Sequence, residues 1–400
     1  MSGKMKKIIA FVGETFDVHN DVAYTSPTSV AFLQDCVGRE NVYVCSPIQE
    51  VTQLRGGYST SVSINQFYPA PNYRSTKEFL IKAIFKPVFY RRFKEVADAV
   101  IDRHQGELFW IRTPSIGSIF FGLRALSAGQ TVLHHMCADA SNTWRDSKYS
   151  IFEKGIGFLV SRFLRYKLRQ LCKHPNTINL CTGNVLEEFS KRVAPSNTYQ
   201  FVDVMVKPPA YEPVINYKPR ALRVLFVGRV VADKGIFDLL DVAKRLGQAC
   251  HFTIAGGGPE LEQAKIYSMK LGLGEQVVFT GQLPHSDLAP LYDQHDVVVV
   301  PSNNYYEGFP RVIMEAWSHH KPVVVANVGG IRAFVKHEQN GLVFTPGNQT
   351  QLYEALLRLV DDRALYNLLS SGAVLMAKKS LQQYWLADVK RILKLHGVDQ

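Results

Sequence analysis

The sequence lacks any apolar run that approaches the roughly 18 residues needed to cross a bilayer. Near the N-terminus Lys4, Lys6 and Lys7 precede an apolar stretch, but Ile8 to Gly13 is too short for the core of a signal peptide. From these two absences we expect neither an integral membrane protein nor a secreted one. We therefore expect a cytoplasmic protein, either soluble or peripheral at the inner face of the cell membrane.

The cysteines show no CxxC pair and no spacing typical of a zinc site or a disulfide framework. A reducing compartment is the default interpretation. The segments that would form a cleft contain no HxxxH or DxD arrangement at a strand end, so we expect no cofactor and no essential metal ion. The cysteines are Cys36, Cys45, Cys137, Cys172, Cys181 and Cys250.

The second half of the chain has little net charge, whereas the first half is basic. Residues 1–210 hold 26 Lys and Arg against 17 Asp and Glu, and residues 211–400 hold 20 against 18. A basic half can face nucleic acid, an anionic membrane or an acidic substrate. No nucleic-acid-binding motif is present, so we expect no nucleic acid partner.

Two stretches of the basic half, residues 79–94 and 158–173, interleave Lys and Arg with large apolar residues. Such amphipathic segments bind anionic membrane surfaces, and each cation near the surface contributes about 1 kcal/mol. The alternative is a pair of core helices with solvated basic faces. Because both stretches lie in the basic half, the sequence favours the interpretation that they bind a membrane surface.

The order of apolar runs predicts two α/β domains. A chain of 400 residues with 46% hydrophobic content can build two cores. Strand-like runs alternate with helical stretches in both halves, which is the rhythm of a doubly wound parallel sheet. We expect an N-terminal domain over 1–207, a Pro-rich linker over 208–219, and a C-terminal domain over 220–380. The predicted strands are KKIIAFVG, NVYVCS, ELFWIR, TVLHHM, ALRVLFVGR, HFTIAGGG, QVVFTG, DVVVVPS and KPVVVAN.

The segment EGFPRVIME sets two carboxylates, Glu307 and Glu315, around a glycine turn and a predicted helix start at Pro310. It follows the β-branched run VVVVPS, which is typical of a buried parallel strand. Ligands of open α/β sheets bind at the carboxyl edge of the strands, and carboxylates suit vicinal hydroxyls. The alternative is an ion pair of Glu315 with Arg311 on a solvated helix face, with Glu307 a loop charge.

Two cations follow the first strand of the second half. Arg229 ends the strand, and Lys234 precedes Gly235 at a predicted helix start. A helix N-terminus with two fixed cations can hold a diphosphate. Either residue alone could equally be a surface cation near a turn. Their joint placement favours a diphosphate-binding site.

Two glycine clusters carry less information. Gly256 to Pro259 fails the GxGxxG spacing of a dinucleotide loop, so we interpret it as a packing turn. Gly329 and Gly330 follow the last strong strand and would offer backbone N–H groups to a phosphate.

In the first half, His134, His135 and Asp139 lie at the end of the strand TVLHHM. An aspartate in a cleft can act as a general base toward a hydroxyl. Alternation along the strand puts only one of the two histidines on a given face. A buried, hydrogen-bonded histidine is the commoner outcome for each.

From about residue 223 to 360, the chain resembles the nucleotide-sugar-binding domain of glycosyltransferase family 4, retaining enzymes with the GT-B fold. The motifs FVGRVVADKG, IAGGGPELE, VVFTGQLPHSDL, EGFPRVIMEAWSHHKPVVVANVGG and NGLVF follow the order and spacing of that family. The resemblance implies two facing Rossmann-like domains with a cleft between them, and a C-terminal helix, within 381–400, that completes the first domain. This chain departs from the family where GFPRV replaces GFGLV and where residues 317–320 replace a run of small residues.

The resemblance also implies roles for individual residues. Arg229 and Lys234 would bind the donor diphosphate and Glu315 the ribose hydroxyls. The donor sugar would contact Glu307 and the backbone of Gly308 and Phe309. Gly13 would face the phosphates from the opposite domain, Gly281 and Leu283 would border the base, and His135 or Asp139 would act at the acceptor.

The sequence therefore predicts a retaining glycosyltransferase of bacterial-type polysaccharide or glycoconjugate biosynthesis. It would move a hexose-type sugar from a nucleotide-diphosphate donor to a glycan or lipid-linked acceptor at the cytoplasmic membrane face. Positioning and charge stabilisation, rather than a side-chain nucleophile, would supply the catalysis. The alternatives are a nucleotide-sugar epimerase of GT-B fold and an inactive subunit that binds a donor and supports a partner.

Overall fold

The computed structural model describes residues 6–54, 56–139, 144, 150–209, 221–284, 287–304 and 308–398. Contacts divide the chain into two compact units, Met1–Met205 with Trp385–Gln400, and Val206–Tyr384. Most of the predicted linker, 208–219, lies outside the described residues.

The first unit is built on a mainly parallel sheet. Its strands are β1 (Ile8–Phe11), β2 (Phe16–His19), β3 (Val22–Thr25), β4 (Val42–Glu50), β5 (Thr60–Ser63), β6 (Phe67–Ala70), β7 (Leu108–Thr113), β8 (Thr131–Met136), β9 (Thr177–Cys181) and β10 (Thr198–Gln200). Their spatial order is β10-β9-β8-β7-β1-β4-β2-β3-β5, with β6 also paired to β4. The four strands predicted in this half are confirmed as β1, β4, β7 and β8.

The polar stretch after β1 forms an antiparallel hairpin. His19 of β2 pairs with Val22 of β3 across a two-residue turn. Asn20 and Asp21 in that turn have φ values of 47° and 59°, the left-handed pair that a type I′ turn requires.

Helices cover the sheet of the first unit. They are α1 (Ser29–Val37), α2 (Thr76–Phe85), α3 (Pro87–Arg103), α4 (Ile116–Ser127), α5 (Ile151–Lys173) and α6 (Asn184–Lys191). Phe79 of α2 is fully buried, with its ring centroid 5.2 Å from Phe93 of α3 and 5.7 Å from Phe120 of α4. Leu164 of α5 belongs to the same core. These contacts set which faces of α2, α3 and α5 point outward.

The second unit has a six-stranded sheet in which every pairing is parallel. The strands are β11 (Leu222–Val227), β12 (Cys250–Ala255), β13 (Val277–Gly281), β14 (Val297–Val300), β15 (Val323–Ala326) and β16 (Gly341–Phe344). The spatial order is β13-β12-β11-β14-β15-β16. The chain therefore turns in opposite directions on the two sides of β11, and the switch point lies between β11 and β14. The predicted strands of this half are all confirmed.

The helices of the second unit are α7 (Ile236–Leu246), α8 (Leu261–Lys270), α9 (Ala289–Gln294), α10 (Val312–Ser318), α11 (Gln349–Asp361) and α12 (Arg363–Ser380). The predicted helix start at Pro310 was wrong, because α10 begins at Val312. The carbonyl of Pro310 accepts from the Ile313 N–H at 3.1 Å, so a tight turn precedes the helix. Glu315 consequently lies in the first turn of α10 rather than in the second.

The last helix, α13 (Gln382–Leu395), packs against the first unit. Trp385 is buried, with its ring centroid 6.0 Å from that of Phe201. The Tyr199 hydroxyl and His396 Nε2 share a hydrogen bond of 2.9 Å. None of the described helices is long and apolar enough to span a membrane.

Candidate functional site

The two predicted diphosphate ligands lie beside the switch point of the second sheet. Arg229 is exposed just past the end of β11, and Lys234, partly buried, ends a 3₁₀ turn that leads into α7. Gly235 between that turn and α7 has φ 73°, and a Cβ there would lie 2.0 Å from the carbonyl oxygen of Pro301. Only glycine allows this approach, which brings the start of α7 against the loop after β14.

The loop after β12 packs against the same segment. A Cβ on Gly256 would lie 1.8 Å from the carbonyl oxygen of Gly228, and the Val230 N–H donates to Gly257 O at 2.9 Å. The Glu260 carboxylate accepts from the backbone N–H of Ala232. The interpretation of this glycine run as a packing turn is confirmed. It holds the loop that carries Arg229 and Lys234.

Gly308 and Phe309, predicted to contact the donor sugar, lie on a buried loop. The Gly330 N–H donates to Gly308 O at 2.5 Å, which joins this loop to the glycine pair after β15. Phe309 is 4% exposed, with ring centroids 4.9 Å from Phe334 and 6.4 Å from Trp317. Trp317 is fully buried and donates from Nε1 to Asn340 O at 3.1 Å. The bulky residue that departs from the family pattern therefore supports the loop.

Glu315 is partly buried and held by a residue that the sequence analysis did not single out. Its Oε2 accepts a hydrogen bond of 2.5 Å from the hydroxyl of Tyr292 in α9. Burial and then the Glu315 carboxylate raise the pKa of Tyr292 well above its ordinary value, so the phenol keeps its proton and donates. Tyr292 lies five residues before β14 and gave no sequence signal on its own, because α9 is short and Glu315 is 23 residues away in the chain.

The remaining donor-side predictions fall at the edge of the site or beyond the described residues. Gly281 ends β13 with φ 70° and accepts from the Gly256 N–H at 2.9 Å, and Leu283 is partly buried two residues on. Glu307 lies outside the described residues. The structure thus brings Arg229, Lys234, Gly308 and their neighbours to one edge of one sheet.

Gly13 lies at the carboxyl end of β1 in the first unit. Its φ is 71°, and a Cβ there would lie 2.2 Å from Ser115 Oγ, so the loop needs a glycine. Next to it, Glu14 shares a 3.3 Å ion pair with Arg112 of β7 and accepts from Thr25 Oγ1 at 3.2 Å. No local sequence pattern signals this charged group, because its members are up to 98 residues apart.

Both histidines of β8 are fully buried. His134 contacts Thr113 Oγ1 at 2.9 Å and Asn179 Oδ1 at 3.0 Å. Burial lowers the pKa of His134 to about 4, partly offset by the hydrogen bond to Asn179, so the ring is neutral at pH 7. His135 contacts Thr182 Oγ1 at 3.0 Å. Burial favours the core-histidine alternative for His135, and its role at an acceptor stays a prediction.

Asp139 is partly buried and lines a cavity of about 130 Å³ at the carboxyl end of β8. Leu164 and Leu186 form part of its apolar wall, and Arg165 and Arg192 also line it. The cavity belongs to the first unit alone. Among the described residues, no three His, Cys, Asp or Glu side chains are grouped so that they could hold a metal ion.

Comparisons with known proteins identify the second unit. Residues 210–374 match the family Glycosyl transferases group 1. Alpha-D-kanosaminyltransferase from Streptomyces kanamyceticus is 31% identical over 153 residues, which cover 38% of this chain and 39% of that protein. The chain spans about a third to a half of the length of the curated relatives that it matches.

Solved structures are similar along almost the whole chain. Sucrose-phosphate synthase from Thermosynechococcus elongatus superimposes with a TM-score of 0.70 at 17% identity, over 98% of this chain and 99% of that one. Anabaena HepE in complex with UDP gives 0.64 at 15% identity, over 97% and 99%. At such identities the likeness shows the fold alone, and it confirms the predicted α/β class with Rossmann-like parallel-sheet domains. The chain therefore has the GT-B fold, and its residues 210–374 match the family Glycosyl transferases group 1.

Proposed function

We propose that the protein is a retaining glycosyltransferase that moves a hexose-type sugar from a nucleotide-diphosphate donor to a glycan or lipid-linked acceptor. One observation carries the proposal. Arg229 and Lys234 lie beside the switch point of the sheet in the glycosyl transferases group 1 domain, and Glu315 is anchored in the helix that follows the neighbouring strand. Ligands of open α/β sheets bind at that position.

The chemistry of these residues suits a nucleotide sugar. Two cations beside the start of α7 would neutralise the diphosphate as the glycosidic bond breaks, which is the role that a divalent metal has in other transferases. We therefore propose that transfer needs no added metal ion. The carboxylate of Glu315 would accept hydrogen bonds from the ribose, and Glu307 would contact the sugar. The complex of HepE with UDP, a protein of the same fold, supports a nucleotide donor.

On the acceptor side we propose Asp139 rather than His135. Asp139 lines a cavity whose wall is apolar and whose other lining groups include two guanidinium groups. His135 is fully buried, with its ring centroid 5.6 Å from that of Trp110 and 4.9 Å from that of Phe201. A fully buried side chain cannot reach a substrate without disrupting the core.

We further propose that α5 binds the protein to an anionic membrane surface. Its inward face buries Ser161, Leu164, Leu171 and Cys172. On the opposite face, the exposed fractions of Phe152, Leu159 and Tyr166 are 77%, 67% and 59%. Arg162, Lys167, Arg169 and Lys173 lie on the same helix. An outward apolar stripe with cations along it is typical of an interfacial helix, whereas a solvated helix has a polar outer face.

The corner between α2 and α3 also exposes apolar side chains. Ile84, Phe85 and Val88 are between 63% and 76% exposed. Both stretches named in the sequence analysis thus contribute apolar side chains to the outer surface of the first unit.

A screen with nucleotide sugars tests the proposed function. UDP-glucose, UDP-N-acetylglucosamine, GDP-mannose and ADP-glucose would be added to the purified protein while thermal unfolding is recorded. A donor at 100 times its dissociation constant stabilises the folded state by about 2.7 kcal/mol. We expect one of them to raise the melting temperature and to be consumed with an acceptor, in the presence of EDTA as well. Glu307→Ala should lower the transfer rate by about 100-fold without unfolding the protein.

The matched control is Glu262→Ala, because that side chain is 77% exposed on α8. Full transfer by the Glu307→Ala variant would overturn the assignment. Isomerisation of a donor incubated alone would identify an epimerase, and binding without any turnover would favour the inactive subunit.

A further inference from the structure

Helices α9 and α10 are joined by two contacts that run in opposite directions. Tyr292 of α9 donates from its hydroxyl to Glu315 Oε2 of α10 at 2.5 Å. His319, which caps the end of α10, contacts Asp293 Oδ1 of α9 through Nδ1 at 2.8 Å. Tyr292 of α9 thus binds the Glu315 carboxylate of α10, and His319 at the end of α10 contacts the Asp293 carboxylate of α9.

The two contacts are linked through an aromatic stack. The rings of Tyr292 and His319 are 5.2 Å apart and only 19° from parallel. Tyr292 is 2% exposed and His319 is 8% exposed, so neither ring can rotate freely. Lys321 also donates from Nζ to the Asp293 carbonyl oxygen at 3.3 Å. Stacking against His319 restrains the Tyr292 ring, and the restrained ring keeps the hydroxyl in place.

We infer that Tyr292 is a positioning residue for Glu315, and that His319 and Asp293 hold Tyr292 in place. This inference rests on the proposed function, in which Glu315 binds the ribose. A glutamate side chain has several rotatable bonds, and a free one loses that freedom when a ligand binds. The tyrosine hydroxyl orients the carboxylate before the nucleotide arrives.

The inference makes a specific distinction between two parts of the donor. Glu315 would contact the nucleoside, whereas the diphosphate would contact Arg229 and Lys234. Loss of the tyrosine hydroxyl should therefore weaken the binding of a nucleoside diphosphate and leave the binding of inorganic pyrophosphate unchanged. A merely structural role would weaken both ligands alike, or neither.

The experiment compares Tyr292→Phe with the wild type by calorimetry. The probes are inorganic pyrophosphate and whichever of UDP, GDP and ADP the wild type binds most tightly. We expect the dissociation constant of the nucleotide to rise about tenfold, which corresponds to about 1.4 kcal/mol, and that of pyrophosphate to stay the same. The donor KM should rise with little change in kcat, because the contact is made equally in the ground state and the transition state.

The matched control is Tyr267→Phe. The Tyr267 hydroxyl donates to Asp241 Oδ1 at 2.6 Å, a tyrosine–carboxylate bond in the same unit. Removing that hydroxyl should leave both dissociation constants unchanged. If Tyr292→Phe fails to fold, His319→Ala and His319→Asn replace it. Asparagine keeps a donor for Asp293, so it should restore part of the nucleotide affinity that alanine loses.

Three results would overturn the inference, and they have different meanings. Unchanged nucleotide binding in Tyr292→Phe, together with weakened binding in Glu315→Gln, would refute the positioning role and leave the proposed function intact. Unchanged binding in both variants would refute the role of Glu315 as well. A wild type that binds pyrophosphate but no nucleotide would refute the proposed function itself.

Discussion

At the scale of single residues, burial decides between alternatives that sequence patterns leave open. The dipeptide His134-His135 could supply a catalytic base or two core residues, and strand alternation predicts that one ring at most faces a given side. The structure buries both, because β8 lies inside the sheet between β7 and β9. Asp139, three residues beyond the strand, lies in the loop and lines a cavity instead.

His134 gives the protein a pH-dependent stability. Its folded pKa of about 4 lies below the usual value of 6.5, so between those pH values the unfolded chain binds a proton that the folded chain does not. Stability should therefore fall as the pH drops from 6.5 toward 4, by about 3 kcal/mol for this group, and should be unaffected by it above pH 7. We expect His134→Gln to be less stable at pH 7 but to lose less stability on acidification, as measured by urea denaturation at pH 7 and pH 5.

Burial also lowers the pKa of His104 and His295, so some acid sensitivity should remain in the variant. Identical pH profiles for the wild type and His134→Gln would contradict the prediction.

At the scale of secondary-structure elements, the strands were predictable and the exact helix starts were not. Runs such as VVVV and VVVA are long enough to identify buried parallel strands. The start of α10 depended on the turn formed by Pro310 and Arg311, and the hairpin of β2 and β3 on left-handed Asn20 and Asp21. The end of α10 likewise depends on local backbone conformation, because His320 there has a φ of 58°.

Helix α5 makes the membrane proposal testable. Phe152 and Leu159 are exposed on its outer face, so replacing both with serine should leave the core intact. Each apolar side chain of this size contributes about 1.5 kcal/mol or more when it leaves water, so the double variant should bind anionic vesicles about 100-fold more weakly. Sedimentation with vesicles of phosphatidylglycerol and phosphatidylcholine measures this.

The control variant for that experiment is Leu375→Ser, since Leu375 is 84% exposed on α12 of the other unit. Equal losses in the control and the double variant would argue against a specific surface, as would binding that does not weaken with added salt.

At the scale of the whole molecule, the end of the chain belongs to the first unit. Trp385 is 1% exposed beside Phe201, and Trp385→Ala should cost about 3–5 kcal/mol through the cavity it leaves. Hydrogen exchange should show lost protection in Met1–Met205 and little change in Val206–Tyr384. Leu395→Ala, at a position 63% exposed on the same helix, serves as the control and should leave both units protected. Loss confined to the second unit would contradict the assignment of α13.

The sequence by itself determined the α/β class and the strands, and it predicted donor-side residues near strand ends, because these depend on local runs of apolar residues and on short motifs. Arg229, Lys234 and Glu315 each lie within a few residues of a strand end, so their approximate location followed from the order of elements. Only the tertiary structure decided which groups support them. Tyr292 reaches Glu315 across 23 positions, Glu14 reaches Arg112 across 98, and Trp385 packs on a residue far earlier in the chain. Such pairings depend on how strands and helices pack in three dimensions, and no local pattern encodes them.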